Sequence, residues 1–328
     1  MKRVKKLISV LLTVALVLTV VPFGELGLSV AAASGTTGDC TWKIENGVLT
    51  ISGNGEMGDD SPWYRSYRNK ITTVVIENGV TSIGGMAFED CYNLSKITVS
   101  DSVTRIGGMA FEDCSSLCSI TIPNRVNVIG AYAFRGCNKL KSISIPFGVT
   151  DVYDYTFLEC SSLTSVTLPN SIINIGTGIF KKCSSLSSIV IPASVMNIGL
   201  DVFYGCNSLE AIQVDTQNAT YYAVGNCLIN RENKTLIAGC KSSVIPLDGC
   251  ITSVGSSAFS GCGSLKSITI PGCIISIGSS AFSDCSKLNS ITLSNGIKSI
   301  GNFRLFRLCR FKKYYDTREC NKPGEGTF

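Results

Sequence analysis

An α/β solenoid of 23-residue units is the fold class that this sequence predicts, on three observations. Phe88, Phe111, Phe134, Phe157, Phe180 and Phe203 recur every 23 residues, and the beat resumes at Phe259 and Phe282. A cysteine follows each of them by three residues, at Cys91, Cys114, Cys137, Cys160, Cys183, Cys206, Cys262 and Cys285. Ile-Gly pairs keep the same step at Gly84, Gly107, Gly130, Gly176, Gly199 and Gly278. A fixed period in the twenties means one supersecondary unit per repeat, stacked so that each covers its neighbour's apolar side. Such a repeat fits no single catalytic centre.

The N-terminal residues come first. Lys2, Arg3, Lys5 and Lys6 precede an apolar run over residues 7–21, and Ala31, Ala32 and Ala33 offer small residues for cleavage. Residues 1–33 are read as a secretory signal peptide cut after Ala33, because the apolar run is short for a membrane span. No membrane span is expected after that cleavage. Residues 34–70 are read as an N-terminal β cap. Within it, residues 41–44 and 48–52 flank Asn46-Gly47, a strong signal for a two-residue hairpin.

The repeats occupy residues 71–302. In the unit 94–117 the apolar positions are Leu94, Ile97, Val99, Val103, Ile106, Ala110, Phe111 and Cys114. Ile97 and Val99 alternate, so each unit should contribute one short strand. Nine such strands are expected, beginning at Ile71, Leu94, Leu117, Leu140, Leu163, Leu186, Leu209, Leu265 and Leu288. Pro123, Pro146, Pro169, Pro192 and Pro271 end strands, since proline has no N–H to donate. The glycine after isoleucine fits a corner that needs positive φ or close backbone approach. Ala-Phe-x-x-Cys spaces its apolar residues as one short helical turn would. Buried together, the eight phenylalanines become a main source of stability, at about 25 cal/mol per Å² of apolar surface.

Two segments break the beat. Residues 215–246 carry an inserted hairpin, with strands expected at 226–230 and 235–238. Residues 303–328 are basic and lose the period. Back-translated with permitted codons and read one nucleotide later, FRLFRLCRFKKYYDTRECN becomes SAFSDCAGLKSIMIPESVT, a complete repeat. The tail is therefore read as frameshifted, with a longer repeat protein as its origin. A repeat-coding frame beyond codon 303 of the gene is the expected result of sequencing.

The consensus Leu-x-x-Ile-x-Ile-Pro-x-x-Val-x-x-Ile-Gly-x-x-Ala-Phe-x-x-Cys resembles the BspA-type leucine-rich repeats of bacterial secreted and surface proteins. The resemblance covers residues 71–302, and the stretch with Cys40-Thr41-Trp42 and Pro62-Trp63 looks like the N-terminal module common in that family. It implies a secreted or cell-surface protein engaged in adhesion or protein–protein contact.

Composition excludes other classes. The net charge of +5 comes from the two ends, and residues 34–302 hold 18 basic and 20 acidic residues. That balance supplies no clustered basic face for nucleic acid. There is no histidine, no Cys-x-x-Cys pair and no phosphate loop. No cofactor and no catalytic or metal site is expected, and the only place left for an active centre is the cap around Trp42, Trp63, Tyr64 and Tyr67. Glu89-Asp90 and Glu112-Asp113 are placed on a solvated outer face. The eight column cysteines are read as small buried thiols. Cys250 and Cys273 precede inward Ile251 and Ile274 at an outer corner, and neighbouring rungs about 4.8 Å apart leave a disulfide between them open.

The candidate binding face is the strand side. Thr98, Thr121, Ser144, Thr167, Gln213, Thr269 and Thr292, with Val190 among them, form an outward row that is mostly hydroxyl-bearing. Threonine also suits an exposed strand for structural reasons alone. The resulting expectation is a non-catalytic binding or adhesion module whose ligand is a protein or a cell surface. The alternative is a structural spacer or targeting region of a longer, truncated surface protein.

Overall fold

Two left-handed residues, Asn46 (φ 50°) and Gly47 (φ 79°), make the tight turn that the Asn-Gly pair predicts. The structure, a computed structural model, describes residues 32–302. The frameshifted-tail reading and nearly all of the signal-peptide reading lie outside the described residues. Around the turn, β1 (Ala33–Thr37), β2 (Cys40–Glu45) and β3 (Val48–Gly53) pair antiparallel. Alternation along β2 buries Cys40, Trp42 and Ile44. β3 then pairs in parallel with Thr73–Ile76, setting Leu49 opposite Val74 and Ile51 opposite Ile76. The cap therefore supplies the first rung of the stack as well as its cover.

Trp63 completes that rung. Its ring stacks on Phe88 at 5.9 Å and 19°, and its Nε1–H donates to Ala87 C=O at 2.7 Å. From there the phenylalanine rings continue as a stacked column, with centroids 5.3 to 6.1 Å apart from Phe88 to Phe203. Every ring from Phe88 to Phe180 is fully buried.

Eight of the nine predicted strands form, each beginning two residues later than expected because the leading leucine or isoleucine closes the preceding turn. The exception is the unit at Leu117, where Ile120 and Ile122 still point inward but Thr121 lies in no regular strand. Nothing in the structure explains the break. The strand side is thus a series of short parallel ladders: β3 with Thr73–Ile76 and Lys96–Val99, Ser142–Ser144 with Ser165–Thr167, Ser188–Ile191 with Ala211–Val214, and Ser267–Ile270 with Ser290–Leu293.

A second parallel ladder, absent from the sequence reading, runs through the Ile-Gly corners. It joins short strands such as Arg105–Ile106, Val128–Ile129 and Asn174–Ile175. Close approach, not positive φ, explains the glycines. A Cβ on Gly107 would lie 2.5 Å from Gly85 N and 2.7 Å from Gly84 C. Where Tyr153 replaces the glycine, the pairing of Asp151–Val152 with the preceding rung shrinks to the single pair Val152–Ile129.

The helical turn predicted for Ala-Phe-x-x-Cys does not form. Among the described residues the only helix is the four-residue turn Tyr64–Tyr67. Each segment is instead a pair of tight turns held by left-handed residues, as at Met109 (φ 57°) and Asp113 (φ 55°). Within the unit, Glu112 N–H donates to Met109 C=O and Cys114 N–H to Phe111 C=O. The alternate N–H groups of Met109, Phe111 and Asp113 donate to Ala131, Ala133 and Arg135 of the next rung. An α-helix would spend those donors within its own segment, four residues back. The turns release them to bind one rung to the next.

At the insertion, Tyr221–Val224, Cys227–Asn230 and Thr235–Ala238 form an antiparallel three-strand unit, one strand more than predicted. Thr235–Ala238 rejoins the solenoid in parallel with Ser253–Val254. The core divides here into two hydrophobic clusters: Leu228 and Ala238 belong to the first, Ile229 and Leu236 to the second. Tyr221 is buried, and Tyr222 donates its hydroxyl to Cys250 C=O while Arg231 lies over its ring.

Candidate binding face on the strand side

Inward positions on the strands are taken by isoleucine, valine or leucine, so the residue between them must face out. Thr98, Thr121, Ser144, Thr167, Val190, Gln213, Thr269 and Thr292 are all exposed. Three of the pairs sit directly opposite across ladders: Ser144 beside Thr167, Val190 beside Gln213, and Thr269 beside Thr292. This row is uncharged and rich in hydroxyls, able to donate and accept hydrogen bonds along its length. Its centre at Val190 is apolar and 53% exposed.

The carboxylate pairs require a correction, because they are not on a solvated face. Glu112 is buried and ion-paired with Arg135, and burial pushes its carboxyl up while Arg135 pulls it down. Glu89 is half-buried and likewise pushed up, by burial first and then by Glu112. Asp90 accepts the hydroxyls of Tyr64 at 2.9 Å and Tyr92 at 2.6 Å. The turns hold Glu112 against Arg135 of the next rung and Asp90 against Tyr64 of the cap, where a helical turn would have projected them. Among the described residues no group of three or more acidic or cysteine side chains gathers to hold a metal. The cap aromatics form a packed cluster, with Trp42 edge-on to Trp63 at 5.9 Å and tilted against Tyr67 at 6.4 Å.

The column cysteines are all buried, and most bond backward. Cys114, Cys137, Cys160, Cys183 and Cys206 each donate a thiol hydrogen to the carbonyl of the preceding rung's phenylalanine, at 3.0 to 3.2 Å. Burial pushes the thiols of Cys91, Cys160, Cys206 and Cys285 from 9.0 up to about 12. Between those values the unfolded chain has lost protons that the folded chain keeps, so stability is complete below pH 9 and declines as pH rises toward 12. Urea midpoints at about pH 8 and about pH 10.5 are expected to show this fall. In native protein a thiol reagent is expected to modify exposed Cys118 quickly and the column only after denaturation. Rapid native labelling of the column would overturn its buried assignment.

Cys250 and Cys273 are half-buried free thiols packed against the second core cluster, not outer-corner residues. Their position in the unit is the one occupied elsewhere by Ser102, Ser171 and Ser194. Those hydroxyls donate to Val80, Val149 and Ile172 C=O of the preceding rung, each at 2.7 Å. This serine ladder was legible as a recurring serine one residue before the inward valine or isoleucine.

With the geometry in place, comparison with known proteins identifies the class. The sequence profile of the BspA type leucine rich repeat region matches in six copies, over residues 64–172, 108–229 and 233–328. The chain belongs to the BspA-type leucine-rich repeat family. A leucine-rich cell surface protein of Faecalibacterium prausnitzii A2-165 is similar at 30% identity, over 81% of this chain and 78% of its own, with a TM-score of 0.64. A leucine-rich repeat protein of Eubacterium ventriosum ATCC 27560 is 28% identical over 82% of this chain and 75% of its own, with a TM-score of 0.56. The pneumococcal vaccine antigen PcpA shares the fold at 18% identity and a TM-score of 0.58, covering 82% of this chain and 78% of its own. No curated protein matches the chain. Among the described residues no helix is long and apolar enough to cross a membrane.

Proposed function

We propose that this chain is an exported binding or adhesion module of a bacterial cell surface, without catalysis of its own, and that its strand side contacts a protein or cell-surface ligand. The observation that carries the reading is the exposed, uncharged row from Thr98 to Thr292, set at ladder spacing along the stack. Extended repeated faces of this kind serve as binding surfaces in solenoids. Family membership and the cell-surface relative support an extracellular setting. The charged and apolar start of the sequence is the ground for reading residues 1–33 as a signal peptide, and the lost period is the ground for reading residues 303–328 as a frameshifted tail.

Labelled protein applied to host matrix and to partner-cell surfaces tests the reading. Retention on a subset of surfaces is the expected result; uniform indifference would favour a spacer. A Cys250–Cys273 bridge belongs to the same proposal. It would form by exchange with an extracellular disulfide, which departs as two thiols, joining rungs already paired through Ser253 and Ser276. Peptide mapping of exported protein without reductant tests it, and recovery of both as free thiols would exclude the bridge.

A further inference from the structure

In a regular rung the N–H groups of the turn side are taken by the next rung, as Met109 and Phe111 are by Ala131 and Ala133. At the insertion this stitching opens. Asp201 and Phe203 hold the positions of Met109 and Phe111, and neither N–H has a backbone acceptor among the described residues. Across the gap, the carbonyl of Ser256, counterpart of Ala131, receives no backbone N–H. Gly239 of the inserted unit has taken Ala258 C=O at 2.8 Å, the acceptor that register would assign to Phe203. Gly205 closes the far side by reaching Gly261 C=O at 3.2 Å, one residue beyond the regular partner.

Between these contacts lies a cavity of about 270 Å³, walled by Leu200, Val202, Ile237, Ala258 and Asp201. Leu200 is 62% exposed at its mouth. Asp201 Oδ1 is buried without a hydrogen-bond partner, while Oδ2 meets Lys181 Nζ at 3.4 Å. At nearby, non-equivalent corner positions carboxylates accept main-chain N–H groups across rungs: Asp59 from Gly85 and Asp154 from Thr177, both at 2.7 Å.

We propose that this cleft binds an extended peptide segment of a partner protein through its main chain. The unsatisfied groups are those that a rung would satisfy, so the fitting ligand is polypeptide. Asp201 and Phe203 are two residues apart, the spacing at which an added strand exchanges hydrogen bonds with an edge. The peptide's carbonyls accept from their N–H groups. One peptide N–H donates to Asp201 Oδ1 and another to Ser256 C=O, and an apolar side chain covers Leu200. The cleft lies on the turn side and is independent of the strand-side reading, which can fail without it.

The test is site-resolved amide exchange on the full chain with N-acetylated, C-amidated pentapeptides Ser-X-Thr-X-Ser, where X is Val, Leu, Ile or Phe. At least one member is expected to slow exchange at Asp201 and Phe203 about tenfold or more, leaving Phe111 and Phe134 unchanged. N-methylation of its central threonine should weaken binding about tenfold, because a donor is lost. Unchanged exchange at both amides with every peptide, or equal protection by the N-methylated form, would overturn the proposal.

Discussion

Replacing Phe134 by alanine is expected to destabilise the protein by about 3–5 kcal/mol, the cost of a large cavity in a rigid core. Phe134 has no exposure and stacks between Phe111 at 5.3 Å and Phe157 at 5.7 Å. Neither neighbour can move in to fill the gap, because each ring is held by its own rung's turn hydrogen bonds. Thr121→Ala, by contrast, removes an exposed hydroxyl and is expected to cost under about 0.5 kcal/mol. Denaturant titration of both variants against the parent checks the pair. Equal losses would mean that the inward and outward positions of the repeat are misassigned.

Trp63→Ala is expected to have an effect of similar size, also about 3–5 kcal/mol in local terms, but a different character. The substitution removes the head of the aromatic column, the edge contact with Trp42 and the donor to buried Ala87 C=O. In a stack where each unit touches only its neighbours, damage at an end is felt as loss of the end. Amide exchange should therefore quicken across β3, Thr73–Ile76 and Phe88, while Phe157 and Phe180 keep their protection. Uniform loss of protection along the chain would contradict the additive picture.

The repeat was legible because its apolar positions recur in register many times, far beyond what local propensity supplies. The path of the chain between those positions was harder to read. Ala-Phe-x-x-Cys fits an inward helical turn and an inward pair of tight turns equally well, since both return the chain to the same side after three or four residues. The deciding residue is the one two places after phenylalanine, which is left-handed at Asp90, Asp113, Gly136, Glu159, Lys182, Gly205, Gly261 and Asp284. Aspartate and glycine predominate there, and they are the residues that tolerate that conformation. The signal was present. Glutamate and lysine at two of the eight positions obscure it.

Other features left weaker traces. Trp63 heads the column yet lies 25 residues before Phe88, outside the 23-residue register. The second ladder consists mostly of two-residue strands, too short for alternation to show. The row of exposed residues on the strand side follows directly from the period-2 pattern. A ligand for it does not follow, because hydroxyls on exposed strands serve packing and recognition alike.

Paired charge insertion on the strand side tests whether recognition occurs there. Ser144 and Thr167 are exposed and directly opposite, so Ser144→Arg with Thr167→Arg places two cations side by side on that face with little effect on the core. Asn124→Arg, on an exposed corner, is the control. On a surface that retains the parent protein, the double variant should lose about tenfold or more in affinity and the control should match the parent. Undiminished retention of the double variant, with its fold intact, would contradict the account.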